Sequence, residues 1–252
     1  MRVRVLGCSG GIGGEHRSTA LLVDDDILID CGTGVGELSL DDLLRIDHVF
    51  LTHTHLDHIA LLPMLLDTVA DMRRSPVTVH ASAACLQVLR EHVFNWQIWP
   101  DFTVLPTADQ ALLRLQALEA GERVQLGGRE LLALPARHAV PAQGYCLSCG
   151  GEALAFTGDT ALCEALILAL NAVQGLRHLL VEVAYPDALE QRAQAAGHLC
   201  PAGLAQLLAA LEVCPEVLVT HLKPGQATQI VHELSALPVR ILQREQVFML
   251  PA

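Results

Sequence analysis

The chain has 252 residues, 52% hydrophobic and 17% charged, a balance that excludes a disordered polymer and fits one domain over residues 1–252 with a large buried core. With 28 acidic and 16 basic residues the net charge is −12, so the surface as a whole repels a phosphate backbone and general nucleic-acid binding is disfavoured. The longest charge-free stretch, residues 193–211, is interrupted by Gly197, Pro201 and Gly203 and reads as loop and helix, so no membrane span is expected.

The amino terminus enters a strand at residues 2–6. Its apolar run is too short for a secretory signal, which makes the cytoplasm the expected location. Strands at 18–23 and 27–30 flank the acidic turn Asp24-Asp25-Asp26. The glycine-rich segment 7–14 lacks the spacing of a dinucleotide fingerprint, the Lys-Ser/Thr ending of a P-loop and the helix that either requires. A wide hairpin loop is expected there, in a place where it can lie over an active site.

A short helix at 40–45 leads into the apolar strand 49–51, and after a histidine cluster a helical pattern covers 58–73. A strand at 77–80, a helix at 83–94 and an aromatic, proline-interrupted loop at 95–102 follow. Strands are expected at 112–118, 130–134, 144–149 and 153–156. Helices at 162–170, 202–211 and 228–235 then alternate with strands at 179–183, 217–219 and 239–242. Two β-rich halves, each with helices, favour an α/β sandwich over a Rossmann sheet.

Eight cysteines in a chain of this length require no disulfide framework. Cys146 and Cys149 form a C-x-x-C without a second such pair, so two facing residues near a strand end are expected in preference to a zinc half-site or redox pair.

The strongest feature is Thr52-His53-Thr54-His55-Leu56-Asp57-His58, four metal-ligand side chains within six residues, directly after an apolar strand. In extended backbone His53, His55 and Asp57 point to one face while His58 turns to a neighbouring point, an arrangement more natural for two cations than for one. Imidazole and carboxylate without thiolate suit Zn²⁺ first, and also Mn²⁺ or Fe. Three more candidates follow apolar strands: His138, Asp159 and His221.

These residues resemble the metallo-β-lactamase superfamily, with its His-x-His-x-Asp-His motif and later His, Asp and His ligands. The resemblance implies a four-layer αββα sandwich with two mixed β-sheets flanked by helices and a site at one edge of the packed sheets. It also implies that His53, His55 and His138 hold one ion, Asp57, His58 and His221 the other, and that Asp159 bridges. Within the superfamily the sequence is most similar to class II 3',5'-cyclic-nucleotide phosphodiesterases, through residues 53–59, 94–101, 181–186, Gly197-His198-Leu199 and Thr220-His221-Leu222-Lys223-Pro224. It departs from them in lacking a glycine within Ile59-Ala60-Leu61 and in its short length.

Two cations about 3.5 to 4 Å apart can supply a hydroxide at neutral pH and neutralise charge on phosphoryl oxygens. Besides the ligand Asp57, the catalytic candidates are therefore His198, as acid for the departing ribose oxygen, and Glu182, which either orients that imidazole or is a solvated strand-end carboxylate. Trp96 and Trp99, with Phe102, offer a stacking wall for a nucleobase, with aromatic core packing as the competing reading. Asn95 and Asp101 are the nearest base-edge readers. Lys223, the sole lysine, stands two residues from His221 and is a candidate phosphate contact. No role is assigned to His16, His48, His80, His92, His178 or His232.

A small nucleotide substrate is thus expected, with no membrane partner and compatibility with a homodimer. The rival readings are an RNA 3'-processing nuclease of the same superfamily, a lactone, thioester or β-lactam hydrolase, and a metal-binding protein without catalysis. The short insert at 73–110, mixed in charge, and the acidic whole count against a tRNA-docking arm.

Overall fold

The computed structural model describes residues 1–251. In the first half, β1 (Arg2–Gly7), β2 (Ala20–Val23) and β3 (Ile27–Ile29) precede α1 (Leu40–Arg45), β4 (His48–Phe50), α2 (Leu56–Ile59) and α3 (Leu62–Val69). Then come β5 (Val77–Ala81), α4 (Ala83–His92) and β6 (Leu113–Ala117). The second half runs β7 (Arg123–Leu126), β8 (Arg129–Pro135), β9 (Gln143–Cys149), β10 (Glu152–Phe156), α5 (Glu164–Ala172), β11 (Leu176–Glu182) and α6 (Glu190–Ala196). It closes with α7 (Pro201–Ala210), β12 (Glu216–Thr220), α8 (Ala227–Leu234), β13 (Val239–Ile241) and β14 (Val247–Met249).

These strands form two seven-stranded sheets, ordered β14-β1-β2-β3-β4-β5-β6 and β13-β12-β11-β10-β9-β8-β7. Both are mixed, since β3 to β6 pair in parallel, as do β10 to β13, while the remaining pairs are antiparallel. Three apolar layers account for the packing. Val5, Ile27, Ile29 and Phe50 of the first sheet meet Tyr145, Leu147, Phe156 and Leu180 of the second, forming the seam between the sheets. Leu28, Val49 and Leu51 face the other way, against Leu62, Leu66 and Leu89 of α3 and α4. Leu179, Val181 and Val219 likewise face Leu166, Leu204 and Ile230 of α5, α7 and α8. The result is the αββα sandwich, and the period-two alternation along each strand is what serves both faces.

Several elements differ from expectation. The helical pattern at 58–73 is two helices, because Pro63 lacks an N–H and sets the first turn of a new helix, and α3 stops at Val69. Arg73 instead turns inward and donates to the Leu44 carbonyl at 2.6 Å. Three elements were not foreseen: the edge strand β7, the helix α6, and β14, which returns to pair with β1. Cys146 and Cys149 do not face each other: Cys146 sits in the outer helical layer and Cys149 in the seam, on opposite sides of β9, as a three-residue spacing in a strand requires. No described helix is long and apolar enough to cross a membrane.

Candidate metal centre

The site forms where strand ends meet at one edge of the seam. β4 continues as Leu51-Thr52, held from both sheets: Leu51 N–H donates to the His80 carbonyl at 2.9 Å, and Gln143 N–H donates to the Thr52 carbonyl at 3.0 Å. Beneath, the Tyr145 hydroxyl donates to the Leu51 carbonyl at 2.8 Å. This clamp fixes the extended segment that presents His53 and His55, after which α2 begins and its first turn places Asp57 and His58. His138 follows β8, Asp159 follows β10 and His221 follows β12, all strands running in the same direction, so their side chains arrive at the same edge.

The structure brings all seven of these residues together. His53, His55, His138 and Asp159 offer ligand atoms within 4.8 Å of one another, and Asp57, His58 and His221 form a second such set. Asp159 stands between them: its Oδ2 lies 3.2 Å from His221 Nε2, 3.5 Å from His58 Nε2 and 3.8 Å from His53 Nε2. Burial alone would raise the Asp159 carboxyl, but His221, His58 and His53 around it outweigh that and hold it well below the usual carboxylate range.

Tautomers follow from the hydrogen bonds. His58 Nδ1 donates to Asp30 Oδ2 at 2.7 Å, which turns Nε2 toward Asp159 Oδ2, 3.5 Å away. His138 Nδ1 donates to the Gly197 carbonyl at 2.8 Å. The Thr52 hydroxyl proton goes to Asp30, so His53 Nδ1 donates to Thr52 Oγ1 at 3.0 Å. His53 Nε2 and His138 Nε2 therefore both present lone pairs to His55 Nδ1, each at 3.1 Å. One proton on His55 can serve only one of them. Both His221 ring nitrogens are buried without a partner. Buried polar nitrogens left in this state are costly unless something positive occupies the space between them. The donor set fits divalent cations, and with imidazole and carboxylate but no thiolate it suits zinc, manganese or iron.

Beside the cluster lies a second arrangement. Glu182, at the end of β11, accepts on Oε1 from His198 Nδ1 at 2.8 Å, Thr160 N–H at 3.1 Å and Leu199 N–H at 3.2 Å. Burial pushes the Glu182 carboxyl up, and the hydrogen bond to Glu182 raises His198 although its own burial works the other way. With Nδ1 engaged, Nε2 is the nitrogen free to hold or release a proton. Lys223 is half-buried, and its charge lowers both His221 and His198, placing it within electrostatic reach of the cluster.

The two tryptophans are not brought to the histidines. Trp96 is 62% exposed on its loop, while Trp99 packs against the outer core of the first sheet beside the buried Phe94 and Phe102. Neither makes a ring contact with the cluster among the described residues. Core packing accounts for Trp99 and Phe102. The aromatic ring that does reach the cluster is Tyr185, at 5.7 Å from the His198 ring.

Sequence reasoning missed the residues behind the ligands. Asp30 is fully buried, with positive φ (58°), and bonds Thr52 N–H, Thr52 Oγ1 and His58 Nδ1. It fixes two ligand rings at once, the kind of outer contact that orients metal-binding imidazoles. Its signal was a carboxylate directly after the apolar run Ile27-Leu28-Ile29. The glycine-rich segment is a hairpin loop and does lie on the site: the Cys8 carbonyl accepts from His221 N–H at 2.8 Å, and a Cβ on Gly10 would collide with the His221 carbonyl. His221 itself has φ of 62°, a strained conformation for a non-glycine residue that this loop helps to hold.

Residues 25–236 match the family model described as beta-lactamase superfamily domain. The chain belongs to that superfamily. Over 214 residues it is 28% identical to a Yersinia pestis protein named probable 3',5'-cyclic-nucleotide phosphodiesterase, covering 75% of this chain and 61% of that one. It is 30% identical over 155 residues to a ribonuclease Z of Halorubrum lacusprofundi, covering 58% of this chain and 47% of the relative. The chain thus spans about half to three-fifths of the length of these curated relatives. In fold it is similar to unliganded yeast PDE1, with a TM-score of 0.81, 20% identity and 99% of both chains covered.

Proposed function

We propose that this superfamily member is a metal-dependent phosphodiester hydrolase that opens a 3',5'-cyclic nucleotide, cAMP or cGMP, to the 5'-monophosphate with two bound cations, zinc foremost. The observation that carries the reading is a pair of adjoining ligand sets, His53, His55, His138 and Asp159 beside Asp57, His58 and His221, with Asp159 Oδ2 3.2 Å from His221 and the His198–Glu182 pair directly alongside. His53, His55 and His138 would hold one ion, Asp57, His58 and His221 the other. When bound, two such ions activate water and neutralise charge on a phosphoryl group.

The protein's own groups do the rest. His198 Nε2 protonates the departing ribose oxygen, because Glu182 fixes the opposite nitrogen and favours the charged ring. Lys223 supplies positive charge for a non-bridging phosphoryl oxygen. Asp30 and Gly197 hold His58 and His138 in the tautomers that leave lone pairs facing the centre. The similarity to ribonuclease Z supports an RNA-cleaving rival, against which the net charge of −12 weighs.

Release of 5'-AMP from 3',5'-cyclic AMP by zinc-loaded protein tests the proposal, with a chelated sample and His55→Ala as controls. Turnover lost in both controls is the expected result. A zinc-loaded protein that leaves cyclic nucleotides intact but trims precursor RNA or opens a lactone would overturn the substrate assignment.

A further inference from the structure

The short helix α6 does two visible things for the site: it ends at Gly197, whose carbonyl holds His138, and it delivers His198, whose N–H bonds back to the Ala193 carbonyl at 2.8 Å. Gly197 has φ of 72°, and a Cβ there would press on the His138 backbone, so this corner is closely built. A third feature of the helix is a side-chain contact. Arg192 projects its guanidinium over the Tyr185 ring, 5.3 Å from the ring centre, and the His198 ring lies 5.7 Å from Tyr185 at 66°.

Arg192 is exposed. The Tyr185 hydroxyl and the Arg192 guanidinium have no hydrogen-bond or carboxylate partner among the described residues. Tyr185 is half-buried and its position is fixed from the strand side, since Val183 N–H bonds the Thr220 carbonyl and Ala184 N–H bonds the Leu199 carbonyl. An aromatic platform and an unpaired fork of N–H donors therefore stand beside the imidazole that faces the leaving oxygen.

We propose that Tyr185 and Arg192 form the nucleobase-binding wall of the site, Tyr185 packing against the nucleoside and Arg192 donating to acceptor atoms on the base. This rests on the cyclic-nucleotide reading above and adds the recognition element that the tryptophan loop does not supply. The chemistry fits: a base presents a flat π face to a phenol and edge acceptors to a guanidinium, and cation–π contact holds the guanidinium plane ready.

The test compares cyclic AMP and cyclic GMP with the base-free analogue 1-O-methylribose 3',5'-cyclic phosphate, using zinc-loaded wild type, Arg192→Ala, Tyr185→Leu and Tyr185→Phe. Arg192→Ala and Tyr185→Leu are expected to raise KM for the nucleotides by about 3- to 30-fold with kcat nearly kept, as loss of a stacking or cation–π contact implies. KM for the base-free analogue should rise far less, and Tyr185→Phe should restore most of the Tyr185→Leu loss. Calorimetric binding of 5'-AMP against ribose 5-phosphate to the same proteins provides a readout independent of turnover. It decides the inference even where the wild type hydrolyses no cyclic nucleotide, a result that would defeat only the activity. Variants that keep the wild-type preference for 5'-AMP over ribose 5-phosphate, or that weaken both ligands equally, overturn the assignment.

Discussion

Two buried histidines, His80 on β5 and His58 on the helix that follows β4, have opposite characters. At the start of the pair β4–β5, His48 Nδ1 lies 3.1 Å from His80 Nε2, and His80 stacks on Phe50 at 4.3 Å and 8°. No carboxylate touches His80, and burial pushes it down to about 4, with His48 adding to the effect. His48 is lowered by burial as well, although Asp47 and Asp26 oppose this. Beyond the end of β4, on α2, His58 is fully buried. There Asp159 and Asp30 outweigh burial and hold the ring well above its ordinary value. Burial alone makes a histidine a neutral core residue. At His58 the carboxylates prevail and the ring belongs to a place that attracts positive charge, whether a proton or a divalent ion, whereas at His53 and His221 burial and the neighbouring histidines prevail and lower the rings.

Removing the shared carboxylate should abolish the contrast most completely. Asp159→Ala is expected to lose bound metal and to cut hydrolysis by more than the roughly 100-fold that follows loss of an outer contact, read by elemental analysis and turnover. His198→Ala, which leaves both ligand sets intact, should keep its metal. It is expected to lose about 10² to 10⁴ in rate on a substrate with a poor leaving group, and far less on a nitrophenyl diester, as the loss of a general acid implies. Full retention on the poor leaving group would remove His198 from the mechanism.

Asp30→Asn keeps the shape while weakening the acceptor for His58 and Thr52. Metal affinity should fall about 10- to 100-fold, measured by competition with a chromophoric chelator. An unchanged affinity would show that the cluster does not depend on its outer carboxylate, and the comparison with His80 would lose its basis.

The smallest effect concerns His80, whose folded value of about 4 lies below the ordinary 6.5. Between those two values the unfolded chain takes up a proton that the folded chain refuses. The contribution of His80 to stability is therefore complete above pH 6.5 and is lost as pH falls toward 4, amounting to roughly 1–3 kcal/mol. Denaturant melts of the zinc-loaded protein and His80→Leu between pH 7 and 4.5 should show the variant with the shallower pH slope. Equal slopes would contradict the neutral-core account.

The candidate ligands were legible because they follow runs of apolar residues: His53 after Val49-Phe50-Leu51, Asp159 after Ala155-Phe156, His221 after Val217-Leu218-Val219. The alternation that builds the sandwich also announces where its strands end. Asp30 was less legible, since a single carboxylate after Ile29 resembles any strand-end turn until the fold brings His58 against it. Helix α6 carries Glu-Gln-Arg-Ala-Gln-Ala-Ala with no apolar stripe, because only Ala193 is buried, so the hydrophobic pattern gave no sign of it. Strand β7 had a readable signal in Gly127-Gly128, both at positive φ in the turn to β8, and its half-exposed alternation at the sheet edge obscured it. The aromatic loop stayed ambiguous for a general reason: tryptophan and phenylalanine serve cores as readily as ligands, and composition does not separate the two uses.

The measurement that bears most directly on the account is the number of divalent ions held by the purified chain after zinc loading and exhaustive dialysis, by elemental analysis against protein concentration. Two adjoining ligand sets with Asp159 standing between them predict two equivalents per chain. One equivalent or none would contradict the reading of the cluster from which the proposed chemistry follows.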